Sequence, residues 1–123
     1  MKKTFRALSG FLVFVLMAGF LTGCMDSNKG NDGFSVAMVT DTGGVNDGSF
    51  NQSAWTGLSN LGRDTGATVR YTESKQNSHF LTNLDRSVDH NYDLIWGIGM
   101  NMGSALEREA RLNPNQYFGL VDS

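Results

Sequence analysis

The strongest constraint on this chain is a rhythm. Short apolar segments beginning near residues 35, 67, 93 and 117 alternate with longer segments of helical period, at intervals of 32, 26 and 24 residues. Each interval accommodates one strand, one helix and the turns between them. Strands separated by helices cannot pair as tight hairpins, so the expected sheet is parallel with helices on both faces.

The pattern supports particular elements. Ser35 to Thr40 is short, and its apolar residues Val36, Met38 and Val39 suit a buried strand. Ser49 to Arg63 reads as a helix, with Phe50, Ala54, Leu58 and Leu61 on one face and Ser49–Gln52 in the form of a capping box. Ala67 to Thr72 alternates as a second strand, and Ser78 to Asn91 is a helix carrying Leu81, Leu84 and Val88, capped by Asn77 or Ser78. Tyr92 to Ile98 is apolar enough to be a central strand. Gly103 to Leu112 is a third helix closed by Asn113-Pro114, and Tyr117 to Val121 is a fourth strand. The expected fold class is α/β, a doubly wound parallel sheet of strand order 2-1-3-4.

The first residues have another purpose. Lys2, Lys3 and Arg6 precede the apolar run Leu8 to Phe20, and Leu21-Thr22-Gly23 then leads into Cys24, the single cysteine of the chain. A basic start, a short apolar stretch and small residues before a cleavage point form a secretory signal. The run is shorter than the ~20 residues needed to span a bilayer. A cysteine directly after the small pair resembles the bacterial lipobox, whose thiol is acylated. Each buried acyl methylene contributes about 0.8 kcal/mol, so two or more chains anchor stably. Residues 1–23 are therefore expected to be a signal helix, 24–33 a polar tether and 34–123 the folded domain. The expected location is the bacterial cell membrane, facing outside the cytoplasm.

Beyond the signal, seven basic side chains stand against twelve acidic ones, a balance of −5 that disfavours nucleic acid as a partner. One cysteine allows neither an internal disulfide nor a cysteine-rich zinc site. His79 and His90 lie eleven residues apart with no ligand spacing. Counting a calcium loop from Asp41 places Gly43 and Val45 at ligand positions and Gln52 where a glutamate is required. No metal, cofactor or catalytic residue is expected.

In open parallel sheets, ligands bind beyond the carboxyl ends of strands where strand order reverses. Here that point falls between the first and third strands. The loop leaving the first strand, Asp41 to Ser49, is rich in glycine and polar groups. Gly43, Gly44 and Gly48 permit close backbone approach. Asp41, Asn46, Asp47 and Asn51 offer acceptors and amides, and Asp122 follows the fourth strand. Phe50 opens the helix; periodicity alone leaves it equally a core residue or an exposed stacking face, and Asp47-Gly48, judged on the dipeptide alone, also admits a reading as only a turn. A carboxylate, an amide and an aromatic together suit a planar heterocycle with polar edges. A rival lies at Gly97, Gly99 and Gly103, spaced G-x-G-x-x-x-G, one residue longer than a dinucleotide fingerprint and on the third strand instead of the first. A nucleotide-dependent oxidoreductase is the alternative that this spacing disfavours.

The segments VAMVTDTGGVNDGSFNQSAWTGL, YDLIWGIGM and YFGLVDS, behind a lipobox, resemble the basic membrane protein family of nucleoside-binding lipoproteins. The resemblance implies a type I periplasmic-binding-protein fold, in which two α/β lobes clamp a ligand across a hinge. It implies binding of purine nucleosides of the inosine, guanosine or adenosine class for an ABC permease, with the lipid bilayer as the second partner through acylated Cys24. A receptor-type sensor of the same fold is the alternative. By the same resemblance Phe50 stacks on the purine, Asp41 and Asp122 accept hydrogen bonds from the nucleoside, and Asn46, Asp47 and Asn51 are polar neighbours. Family members are much longer, so residues 34–123 are expected to be a partial amino-terminal lobe, truncated and impaired in binding.

Overall fold

The computed structural model describes residues 33–122. The expected signal, the expected acylation site at Cys24 and residues 24–32 of the expected tether lie outside the described residues. Four strands, β1 (Ser35–Val39), β2 (Thr68–Thr72), β3 (Leu94–Ile98) and β4 (Tyr117–Val121), alternate with three helices, α1 (Phe50–Thr65), α2 (His79–Asp89) and α3 (Gly103–Leu112). A 3₁₀ turn, Met100–Met102, precedes α3. All strand pairs are parallel, in the order β2-β1-β3-β4. The expected architecture and strand order are thus the observed ones, with element ends moved by up to two residues.

β1 holds the centre because it is apolar on both sides. Val36, Ala37, Met38 and Val39 are all buried, which a parallel strand covered by helices on each face requires. Alternate residues supply two cores. Ala37, Val39 and Ile95 pack with Phe80 and Leu84 of α2 and with Met102 beside α3. Met38 and Ile98 pack on the other face with Val45 and, from α1, Ala54, Trp55 and Leu58. Tyr71 of β2 completes that side edge-on to Trp55, with ring centroids 4.8 Å apart.

Three local expectations require correction. Ser49 occupies the N-cap position of α1 but makes no side-chain cap bond, so there is no capping box. The carboxylate of Asp47 takes that role instead, as described below. Phe50 does not continue the buried face of α1: it is 54% exposed, and Asn51 is the buried residue of the helix. On α2 neither Asn77 nor Ser78 caps through its side chain; the N–H groups of His79 and Phe80 donate to the carbonyls of Gln76 and Asn77. Phe80, absent from the expected stripe, is the aromatic anchor of the core, while Leu81 is only half-buried.

Glu109 of α3 is buried, with its carboxylate accepting a 3.2 Å bond from Asn113. Burial, reinforced by Asp85 on α2, pushes this acid above the ordinary glutamate range, against Arg108 and Asn113.

The sheet admits no side chain at one point between β3 and β4. A Cβ on Gly119 would meet the Trp96 ring at 2.5–2.9 Å. Gly119→Ala should therefore force the indole from its slot, destabilising the fold by about 1–3 kcal/mol. Urea unfolding followed by tryptophan fluorescence checks this; an unchanged midpoint and spectrum would show that the slot yields freely.

Candidate functional site

The chain leaves β1 at Thr40, whose N–H donates to Thr72 at the end of β2 (3.0 Å). The Thr40 hydroxyl donates to the Asp41 carbonyl at 2.9 Å and accepts the Ser74 N–H at 3.4 Å. Ser74 in turn accepts an amide bond from Asn83 of α2 at 3.0 Å. These buried polar groups fix the place where β1 ends, so Asp41 stands at the carboxyl edge of the sheet between β2 and β3.

From there the loop is organised by carboxylates. Asp41 Oδ1 accepts the Gly43 N–H at 2.9 Å and the Asn51 side-chain amide at 2.7 Å. Asp47 Oδ1 accepts the N–H groups of Ser49 (2.8 Å) and Gln52 (3.0 Å). Asp47 Oδ2 accepts the backbone N–H of Asn51 (3.1 Å) and its side-chain amide (2.9 Å). An acid supplying acceptors to free N–H groups at a helix start satisfies donors that would otherwise lack partners. Partial burial works to raise the Asp47 carboxyl, but the N–H groups of Gln52, Ser49 and Asn51 and the Asn51 amide outweigh it and hold it below the ordinary aspartate value.

A third carboxylate, missed in the sequence, braces the loop from β2. Glu73 accepts the Val45 N–H at 2.9 Å and the Lys75 ammonium at 2.7 Å. Lys75 and then Val45 draw the Glu73 carboxyl below its ordinary value. A Cβ on Gly44 would lie 2.8 Å from Glu73, and φ there is +75°, so glycine is required on both counts. Glu73 carries no motif signal; only its acidic side chain just after a strand hinted at it.

The third strand closes the other side. Gly99, directly after β3, has φ +106°, and a Cβ on it would sit 2.6 Å from Asp41 Oδ2. The Asp41 side chain therefore lies flat against the backbone of the β3 loop at the point where strand order reverses. Gly99 N–H donates to Val121 at 2.9 Å, which sets the β4 exit and exposed Asp122 beside it; Asp122 itself has φ +66°.

Of the expected site residues, Asp41, Asp47 and Asn51 come together in one hydrogen-bonded cluster. Phe50 is adjacent on the helix with its ring exposed, and Asp122 stands at the neighbouring strand end. Asn46 is exposed on the loop. Asn51 is only 1% exposed, so it faces inward where the sequence suggested a polar neighbour for ligand. Met100, 70% exposed after Gly99, adds an apolar side chain that the sequence did not single out. Clefts of about 350–460 Å³ elsewhere, lined among others by Phe34 and Tyr117, by Trp55 and Arg70, and by Leu112 and Gln116, include no residue of the 41–51 loop. Among the described residues no group of three or more His, Cys, Asp or Glu is arranged to hold a metal ion.

The Asp47 cap carries a testable pH signature. A carboxyl held below its ordinary value stabilises the fold fully above the unfolded value and loses that effect as pH falls through the folded one. Asp47→Ala should lower Tm by about 4–8 °C at neutral pH, with the gap to wild type closing in acid. Thermal melts across pH check this; a gap independent of pH would remove the carboxylate from the cap.

Comparison with known proteins identifies the family to which this fold belongs. Residues 34–123 match the Bmp family model, described as ABC transporter substrate-binding protein PnrA-like. A protein of Listeria innocua named CD4+ T-cell-stimulating antigen is 39% identical over 98% of this chain and 37% of its own length. The ABC transporter nucleoside-binding protein BmpA of Lactococcus lactis is 35% identical over all of this chain and 37% of its own length. The chain thus spans a little over a third of these relatives. Among solved structures, an ABC transporter system solute-binding protein from Aeropyrum pernix K1 superposes with TM-score 0.68 and 30% identity, over 73% of this chain and 25% of that one. A fragment from Peptoclostridium difficile 630 described as a lipoprotein superposes with TM-score 0.67 and 32% identity, covering 73% of this chain and 74% of the fragment. With a parallel 2-1-3-4 sheet, an acidic glycine-rich loop at its switch point and a family match across the whole described domain, the chain belongs to the Bmp family of PnrA-like ABC transporter substrate-binding proteins.

Proposed function

We propose that this chain binds purine nucleosides through the loop between β1 and α1, and that it does so tethered to the outer face of a bacterial membrane by acylated Cys24, for delivery to an ABC permease. The observation that carries the ligand assignment is the exposed ring of Phe50 at the start of α1, one residue before Asn51, whose side-chain amide bonds Asp41. An aromatic left 54% exposed at the first position of a helix is a ready stacking surface. In the same loop, Asp41 Oδ2 accepts no hydrogen bond among the described residues and is not a fully buried unpartnered atom, leaving one carboxylate oxygen unspent where the side chain lies against Gly99. A flat base with N–H or O–H groups at its edge or ribose matches that pair. Asp122 offers a second acceptor at the next strand end. The name of the Lactococcus lactis relative, a nucleoside-binding protein, supports the same class of ligand. Family relatives are described by substrate binding, so no reaction is assigned to the site.

One stacking face and one or two carboxylates make a one-sided grip, worth a Kd on the order of a millimolar. Titrating the full chain with inosine or guanosine should shift the amide NMR signals of residues 41–51, and Phe50→Ala should abolish those shifts. Absence of any shift would remove nucleosides as the ligand; sub-micromolar affinity would overturn the one-sided grip. The anchor is tested separately. Labelled palmitate should enter the chain in its native bacterial setting and be lost in Cys24→Ala; equal labelling of the variant would refute acylation at this cysteine.

A further inference from the structure

The buried amide of Asn51 has a role distinct from ligand contact. Its Nδ2 donates to Asp41 Oδ1 at 2.7 Å and to Asp47 Oδ2 at 2.9 Å, bridging two carboxylates six residues apart in sequence. The residue is 1% exposed, and its Oδ1 is buried with no partner among the described residues. An orphaned buried acceptor is uncommon in a folded protein. It is tolerated here because the amide cannot turn over: a flip would point Oδ1 at two carboxylate oxygens. The amide is therefore fixed as a double donor. Its own backbone N–H bonds Asp47 as well, at 3.1 Å, so the helix start and the clamp are one unit.

We propose that Asn51 is a positioning residue that clamps Asp41 in one rotamer, so that Oδ1 is consumed inside the loop and Oδ2 alone is presented to ligand. This rests on the reading of the loop as a ligand site. Gly99 completes the clamp from β3, since its missing Cβ leaves the space, 2.6 Å away, that Oδ2 occupies. Asparagine is the residue the geometry demands. Aspartate would bring a third carboxylate against two, leucine would supply no donor, and glutamine would carry its amide past the bridging position. With Oδ1 engaged twice, the carboxylate offers one acceptor in a set direction, which selects a ligand donating a single N–H or O–H there over one requiring a bidentate partner.

The test compares wild type, Asn51→Leu and Asn51→Ser in the full chain. Gly119→Ala serves as a control that weakens the same domain by displacing Trp96, which takes no part in the hydrogen bonds of Asp41, Asp47 and Asn51. Without ligand, the three-bond couplings of the Asp41 β-protons should report one rotamer in wild type and averaging in both Asn51 variants, with faster exchange of the Gly43 amide. With inosine as probe, the Asn51 variants should bind about tenfold more weakly, while Gly119→Ala binds as wild type does. Asn51→Ser keeps the question answerable if the leucine variant does not fold. Fixed Asp41 couplings in either folded Asn51 variant, or equal affinity losses in Asn51→Ser and Gly119→Ala, would overturn the proposal. Should wild type fail to respond to inosine, the nucleoside reading falls, and the ligand-free couplings still decide the clamp.

Discussion

The structure depends on one strand being buried on both faces and paired on both edges. β1 lies between β2 and β3, so the chain leaving its carboxyl end cannot continue along the sheet. It emerges where the neighbouring connections diverge, one to each face, and that divergence creates a crevice. Asp41 is the first residue beyond this edge that reaches it. Its position is set by the ladders on either side and by Thr40, whose hydroxyl joins the ends of β1 and β2.

Holding that loop takes a division of labour among three carboxylates. Asp47 serves the helix, gathering the N–H groups at the start of α1. Glu73 serves the scaffold, tying Val45 to the end of β2. Of the three, only Asp41 has an oxygen that accepts no hydrogen bond among the described residues. The distinction is one of saturation: a carboxylate with both oxygens engaged within the fold is structural, and one left half-filled retains an acceptor. Charge count or motif membership alone cannot make that separation.

Four of the six positive backbone angles among the described residues fall at the same edge; Gly66 and Asn91 precede β2 and β3. Gly44, Gly48 and Gly99 and the non-glycine Asp122 all have φ between +66° and +106°, and all lie in loops at the carboxyl ends of strands. Gly44 and Gly99 leave space for carboxylates of other segments, so the glycine content of the loop serves side-chain packing as much as backbone turning.

The sequence by itself determined the layering and the strand order. Apolar periods of strand and helix length report directly on burial, and burial decides architecture. It also located the loop, because composition and topology point to the same strand end. Two things were decided only by the tertiary structure. Phe50 fits the helical stripe as well as the exposed rim, and packing of Ala54, Trp55 and Leu58 on Met38 turned it outward. Asn51, Asp47 and Asp41 look alike as polar motif residues, but which of them faces inward depends on where α1 starts relative to β1. The Asp47 cap fixes that start, and the local pattern had assigned it to Ser49. Side-chain chemistry names the groups available; only the three-dimensional hydrogen-bond count shows which are already spent within the fold.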